Sequence, residues 1–133
     1  MSNIETALPG KPVKRNITAT RNDTFLYQIV GWNKDGTPYD FTGHEFIMQV
    51  KENREEGEDP VLDIPDSAFT IGQNQAGQDA GVNNLVTIEY DATNMDVAPK
   101  DYIYDIQMTD AASKIQTIQK ERDYFRVEQD VSQ

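Results

Sequence analysis

Tyr102-Ile103-Tyr104-Asp105-Ile106-Gln107-Met108-Thr109 decides the fold class. Tyr102, Tyr104, Ile106 and Met108 fall on one side of an extended chain, and Asp105, Gln107 and Thr109 fall on the other. This is the two-residue repeat of a strand with one face in a core. Phe46, Met48 and Val50 repeat it against Gln49 and Lys51. Further out, β-type runs at 15–20, 24–32, 45–52, 69–72, 85–90, 102–109, 115–120 and 124–128, with 61–64 as a short extra one, give seven to nine strands. They alternate with turn clusters at roughly the 8–12-residue spacing of a sandwich or barrel. No segment carries helical periodicity over about three turns.

The turns are chemically explicit. Asp35-Gly36-Thr37-Pro38 joins a glycine free to take positive φ with a proline of fixed φ, and Asp110-Ala111-Ala112-Ser113 closes a hairpin. Gly36 and Gly43 are expected at positive φ. Asp40-Phe41-Thr42-Gly43 places one aromatic between two residues suited to side-chain-to-backbone bonds, a structural motif and not a chemical one. Residues 91–100 read as one helical turn capped by Asp91 or Thr93 and stopped by Pro99. Residues 72–84 read as a long loop, and 52–59 as a second, very acidic one. A tyrosine at the start of the 102–109 strand either bonds back to upstream backbone, as in immunoglobulin-like sandwiches, or is a plain core or interface aromatic.

Composition narrows the function. The chain has 133 residues, 37% of them hydrophobic, enough for one domain with a thin core. It has no cysteine, hence no disulfide or thiolate chemistry. No secretory signal and no run of about 18 apolar residues is present, which implies a soluble cytoplasmic product with no membrane partner. A net charge of −11 argues against nucleic acid, whose phosphates need a positive surface. The charge is uneven: Lys11, Lys14, Arg15 and Arg21 against Glu5 give the first 21 residues +3 and leave −14 for the rest.

Residues 1–13 carry Pro9, Gly10 and Pro12 and no periodic pattern, so they read as an extended arm ahead of a sandwich domain over 14–133. Ile4, Leu8, Pro9, Lys11, Pro12, Lys14 and Arg15 are its candidate assembly residues. The apolar ones would anchor, the prolines hold it extended, and the basic ones meet an acidic neighbour, another copy of the same chain included.

Three segments in order resemble a family of bacteriophage virion proteins that includes the N-terminal domain of upper baseplate proteins. They are Asn22-Asp23-Thr24-Phe25, then Asp35-Gly36-Thr37-Pro38-Tyr39-Asp40-Phe41-Thr42-Gly43, then Tyr102-Ile103-Tyr104-Asp105-Ile106. The family opens a strand with Gly-Asp-Thr, follows with Asp-x-x-Gly-x-Pro-x-Asp-Leu-Thr-Gly, and closes with a Tyr-x-Tyr-Asp strand and a valine-bearing one. The resemblance runs over 17–131 and departs at Asn22 for glycine, at Phe41 for leucine, and at Glu121-Arg122-Asp123, where the family often has a glycine. It implies an immunoglobulin-like antiparallel β-sandwich with no cofactor, located in the virion. Its role would be an adaptor or decoration module of the tail, baseplate or capsid surface, bound to other virion proteins and to copies of itself.

Catalytic chemistry is thinly provided. His44 follows a turn, with no cysteine or serine in a motif around it, and receives no role. Among 23 acidic residues some pair will lie at glycosidase spacing by chance, but such an enzyme needs an apolar pocket for its acid and a cleft for sugar. Glu52, Glu55, Glu56, Glu58 and Asp59 lack the order of a calcium loop and read as solvated. Asn16-Ile17-Thr18 and Asn22-Asp23-Thr24 match a glycosylation sequon and read as strand-edge residues. The competing function class is a carbohydrate-binding module, which requires Trp32 and neighbouring tyrosines to form an exposed plane; the virion reading requires apolar surface covered by protein neighbours.

Overall fold

The computed structural model describes residues 3–7, 13–33, 35–52, 59–73, 82–120 and 124–129. Eleven strands form two sheets: β1 Asn3–Ala7, β2 Val13–Lys14, β3 Ile17–Thr20, β4 Phe25–Trp32, β5 Glu45–Lys51, β6 Leu62–Ile64, β7 Phe69–Gly72, β8 Leu85–Tyr90, β9 Lys100–Thr109, β10 Ile115–Lys120 and β11 Phe125–Glu128. The first sheet runs β1-β4-β8-β7. In the second, β9 is central. It pairs with β5, which carries β6, and on its other side with β10 along one half and β11 along the other. β2 and β3 continue outward from β10 and β11 in parallel.

Alternation governs the long strands as the sequence implies. Phe46, Met48 and Val50 of β5 and Tyr102, Tyr104, Ile106 and Met108 of β9 are all buried, and the β5–β9 register sets Phe46 beside Met108 and Met48 beside Ile106. The opposite sheet supplies Phe25, Tyr27, Ile29, Phe69, Val86 and Ile88. Rings meet across the sandwich, with Phe46 stacked on Phe69 at 5.3 Å and Phe25 edge-on to Phe125 at 5.6 Å. Burial of this apolar face is what orders the sheets, at roughly 25 cal/mol per Å².

Two features differ from the sequence expectation. The segment 1–13, read as an arm outside the domain, places Asn3–Ala7 in register with Gln28–Trp32, parallel to β4, and Val13 in register with Gln119. Pro9, Gly10 and Pro12 between β1 and β2, and the two-residue length of β2, leave no period to read. The sheets are therefore antiparallel with parallel additions at their margins, and the strand count exceeds nine by β1 and β2. Alternation also breaks in β10, where Ile118 and Gln119 are both fully buried, whereas the 72–84 loop ends at Leu85 as the sequence implies.

The turns match their chemistry. Gly36 and Gly43 have φ of 88° and 80°. The helical turn is a 3-10 turn over Ala92–Asn94, with the Asp91 side chain accepting from the Thr93 N–H at 3.0 Å. Asn22 and Ser113 are non-glycine residues at positive φ, 67° and 65°. Asparagine tolerates this conformation and serine does not. Ser113→Gly is thus expected to raise stability by about 0.5–1 kcal/mol, read as a higher urea midpoint with unchanged slope. A lower midpoint would mean that the φ is not strained.

Candidate functional site

The middle motif builds a rigid corner from β4 to β5. Asp35 Oδ1 accepts from the Thr37 N–H at 3.0 Å and its hydroxyl at 2.6 Å; Asp40 Oδ1 accepts the same pair from Thr42 at 3.0 and 2.7 Å. Asp91 and Thr93 repeat the arrangement, so three Asp-x-Thr segments act as backbone clamps. Pro38 bridges to Trp32, closing the hairpin begun by Gly36. Phe41 is buried between the second clamp's two residues, as the sequence implies, and its N–H donates to the Asn83 carbonyl at 2.8 Å. Gly31 of β4 lies directly beneath the Phe41 ring. Its N–H donates to the Asn84 carbonyl and its carbonyl accepts from the Tyr39 N–H, at 2.8 and 3.0 Å.

Electrostatics there follow from the clamps. The hydrogen bonds from Thr37 and Thr42 hold the Asp35 and Asp40 carboxyls below the ordinary carboxylate range, and the Lys114 and Ala112 N–H groups do so for Asp110. A folded-state pKa below the unfolded one contributes stability that is complete above the unfolded value, near 3.8, and is lost as pH falls through the folded value. The denaturation midpoint should therefore drop as pH falls below about 4, and Asp40→Asn should flatten the drop. Parallel wild-type and variant profiles would exclude Asp40 from it.

His44 is used structurally, a role the sequence did not signal. Its Nδ1 lies 3.1 Å from the Thr42 carbonyl, which can only accept, so Nδ1 carries the proton and Nε2 accepts from the Tyr39 hydroxyl at 2.8 Å. Both ring nitrogens are hydrogen-bonded within the corner, so the ring ties Tyr39 to Thr42.

The other two motifs are also structural. Asp23 and Thr24 are exposed at the start of β4, with Asn22 N–H on the Met95 carbonyl and Asp23 N–H on the Thr20 carbonyl at 3.0 and 3.2 Å. The Tyr102 hydroxyl donates to the Ala98 carbonyl at 2.6 Å while its ring is buried in the core, so the residue makes the backbone bond and is also a core aromatic. Asp105 is half-buried on the outer side of β9, in register with Gln49 and Lys120. Tyr104 reaches across to the Arg15 carbonyl at 2.9 Å. Lys14 and Arg15 themselves are exposed.

Behind Tyr104 lies a buried polar group that alternation hides. Register slips between Thr117 and Gln119, a bulge at Ile118, so Gln119 turns inward opposite Ile106. Fully buried, it donates from Nε2 to the Tyr27 hydroxyl at 2.6 Å and the Tyr104 hydroxyl at 3.1 Å. Burial pushes the Tyr27 hydroxyl well above its ordinary pKa.

An open depression of about 310 Å³ is lined by Thr24, Ser67, Ala68, Thr70, Glu89 and Asp91, and another of about 240 Å³ by β3, the start of β4 and the Asp23-Thr24 segment between them. No group of three potential metal ligands occurs among the described residues. Leu8, Pro9, Lys11, Pro12, Glu55, Glu56, Glu58 and Glu121-Arg122-Asp123 lie outside the described residues, and Ile4 is placed only by its register with Ile29. No family model matches the chain, and no curated protein is similar to it.

Proposed function

We propose that the chain is a non-enzymatic, immunoglobulin-like structural module of a bacteriophage particle, an adaptor or decoration protein that works through protein–protein contact. The observation that carries this reading is the coincidence of strand order and corner. One sheet in the order β1-β4-β8-β7 faces another built as β6-β5-β9-β10/β11, which corresponds to the division of strands between the sheets of immunoglobulin domains. The Tyr102 hydroxyl bonds back to Ala98 at the corner where such domains place a tyrosine. The parallel attachment of β1 to β4 is a departure from that plan.

Two of the three segments that resemble the phage family lie at a turn or strand start, where they set geometry, and the third runs through β9 with Tyr102, Tyr104 and Ile106 in the core. This supports a module whose specificity lies in shape. Against the carbohydrate-binding alternative stands the placement of the aromatics. All twelve are described, and each is buried or half-buried, Trp32 included, so no exposed aromatic plane is formed. The large apolar side chains exposed among the described residues are Leu26, Val61 and Ile115. A covered interface would therefore draw on backbone edges and charge more than on an apolar patch. The acidic surface disfavours nucleic acid as a partner, and no helix among the described residues is long and apolar enough to cross a membrane.

The test is incorporation. Mass spectrometry of purified phage particles made in the presence of the chain should find it at a fixed ratio to the major particle protein. Deleting residues 1–13 should leave a folded, soluble body that no longer joins the particle. Raising salt should weaken the intact contact only in part, because apolar anchors are not screened. Absence from particles, or incorporation of the truncated chain at full ratio, defeats the reading.

A further inference from the structure

Within the first sheet β1 is held differently from every other strand. It pairs in parallel where β4, β8 and β7 pair antiparallel, and β4 is its one substantial neighbour among the described elements. It is tied to β2, in the other sheet, through residues 8–12 alone. The geometry points to β1 as an exchangeable strand: in concentrated protein and in the assembly, β1 of one copy pairs with β4 of a second copy, in the register Asn3↔Gln28 to Ala7↔Trp32 that it has here.

Exchange of this kind changes no contact. The backbone bonds made between copies are those given up within one, so the linker and the local concentration decide the outcome. Parallel ladders are slightly weaker per residue than antiparallel ones, and β1 stands at the margin of its sheet, so it can leave without breaking the sheet's other pairings. Once it leaves, backbone groups along Gln28–Trp32 face solvent as an open edge, a template for β1 of a second copy. The linker holds Pro9 and Pro12, whose fixed φ reduces the entropy lost when it spans two molecules. It also carries Lys11, just ahead of Lys14 and Arg15, on a chain whose remaining residues total −14. Passing it to a neighbour sets positive charge against an acidic body, where two bodies brought together otherwise repel. In a particle the copies are held at high effective concentration, which favours pairing between them.

This inference rests on the reading of the N-terminal segment as the assembly element, and its test separates the two. The chain has no cysteine, so Asn3→Cys and Gln28→Cys can be introduced together into the full chain and both labelled with nitroxides. Pulsed EPR on the concentrated protein should show the short separation of register partners. Mixing with a large excess of unlabelled wild type before concentration should then reduce the short-distance population in proportion to the labelled fraction. A population unchanged by dilution means pairing within one chain and overturns exchange, and so does a missing short distance in the undiluted sample. Pairing within one chain, combined with loss of incorporation on deleting residues 1–13, would defeat exchange and leave the assembly reading standing.

Discussion

Gly31→Ala is expected to destabilise the protein by about 2–3 kcal/mol, the upper part of the range for overpacking a filled core. A Cβ at that position would stand 2.5 Å from Phe41 Cζ and 2.7 Å from Cε2, inside any real carbon contact. The ring cannot retreat, because Tyr39 and Phe46 flank it at 5.3 and 5.5 Å between centroids. Nor can the backbone, since both polar groups of Gly31 are engaged by Asn84 and Tyr39. The ring fits only above a residue without a side chain, and a smaller side chain at position 41 would leave room for a Cβ. Phe41→Leu in the Gly31→Ala background should therefore recover most of the loss, a coupling of about 1 kcal/mol or more in a double-mutant cycle. If the two losses simply add in urea denaturation, close approach is not the cause.

Gln119→Leu should cost about 1–3 kcal/mol, although leucine is close in volume and apolar, because it leaves the buried Tyr27 hydroxyl without its amide partner. Tyr104 is less affected, since it also holds the Arg15 carbonyl. Replacing both members of a buried polar pair by apolar groups of similar shape is often nearly neutral. Gln119→Leu/Tyr27→Phe should consequently be more stable than Gln119→Leu alone. A double variant no better than the single one would show that side-chain fit, and not the lost hydrogen bond, sets the cost.

These two sites mark where the sequence was legible and where it was not. β5 and β9 announce themselves because one face of each is apolar along its full length, and the clamps at Asp35 and Asp40 do so because aspartate two residues before threonine has a local partner. Gly31 left a usable sign, a glycine inside a β-type run, which marks a close approach by another group. Gln119 left none: the bulge at Ile118 shifts the inward positions by one, so a residue that alternation assigns to the outside faces the core. β1 and β2 were unreadable for a different reason: they flank Pro9, Gly10 and Pro12, whose turn chemistry reads as an extended arm.

The breaks in the second sheet have a further consequence for handling this chain at high density. β10 and β11 share one flank of β9 in two pieces, and β2 and β3 repeat the division beyond them. Apart from β1, the marginal strands β6, β7, β2 and β3 are three, four, two and four residues long. Sheet-to-sheet growth between molecules needs a long, flat template, and interrupted margins of this length supply little of one. The body can thus be packed in many copies with pairing between molecules confined to the β1–β4 edge.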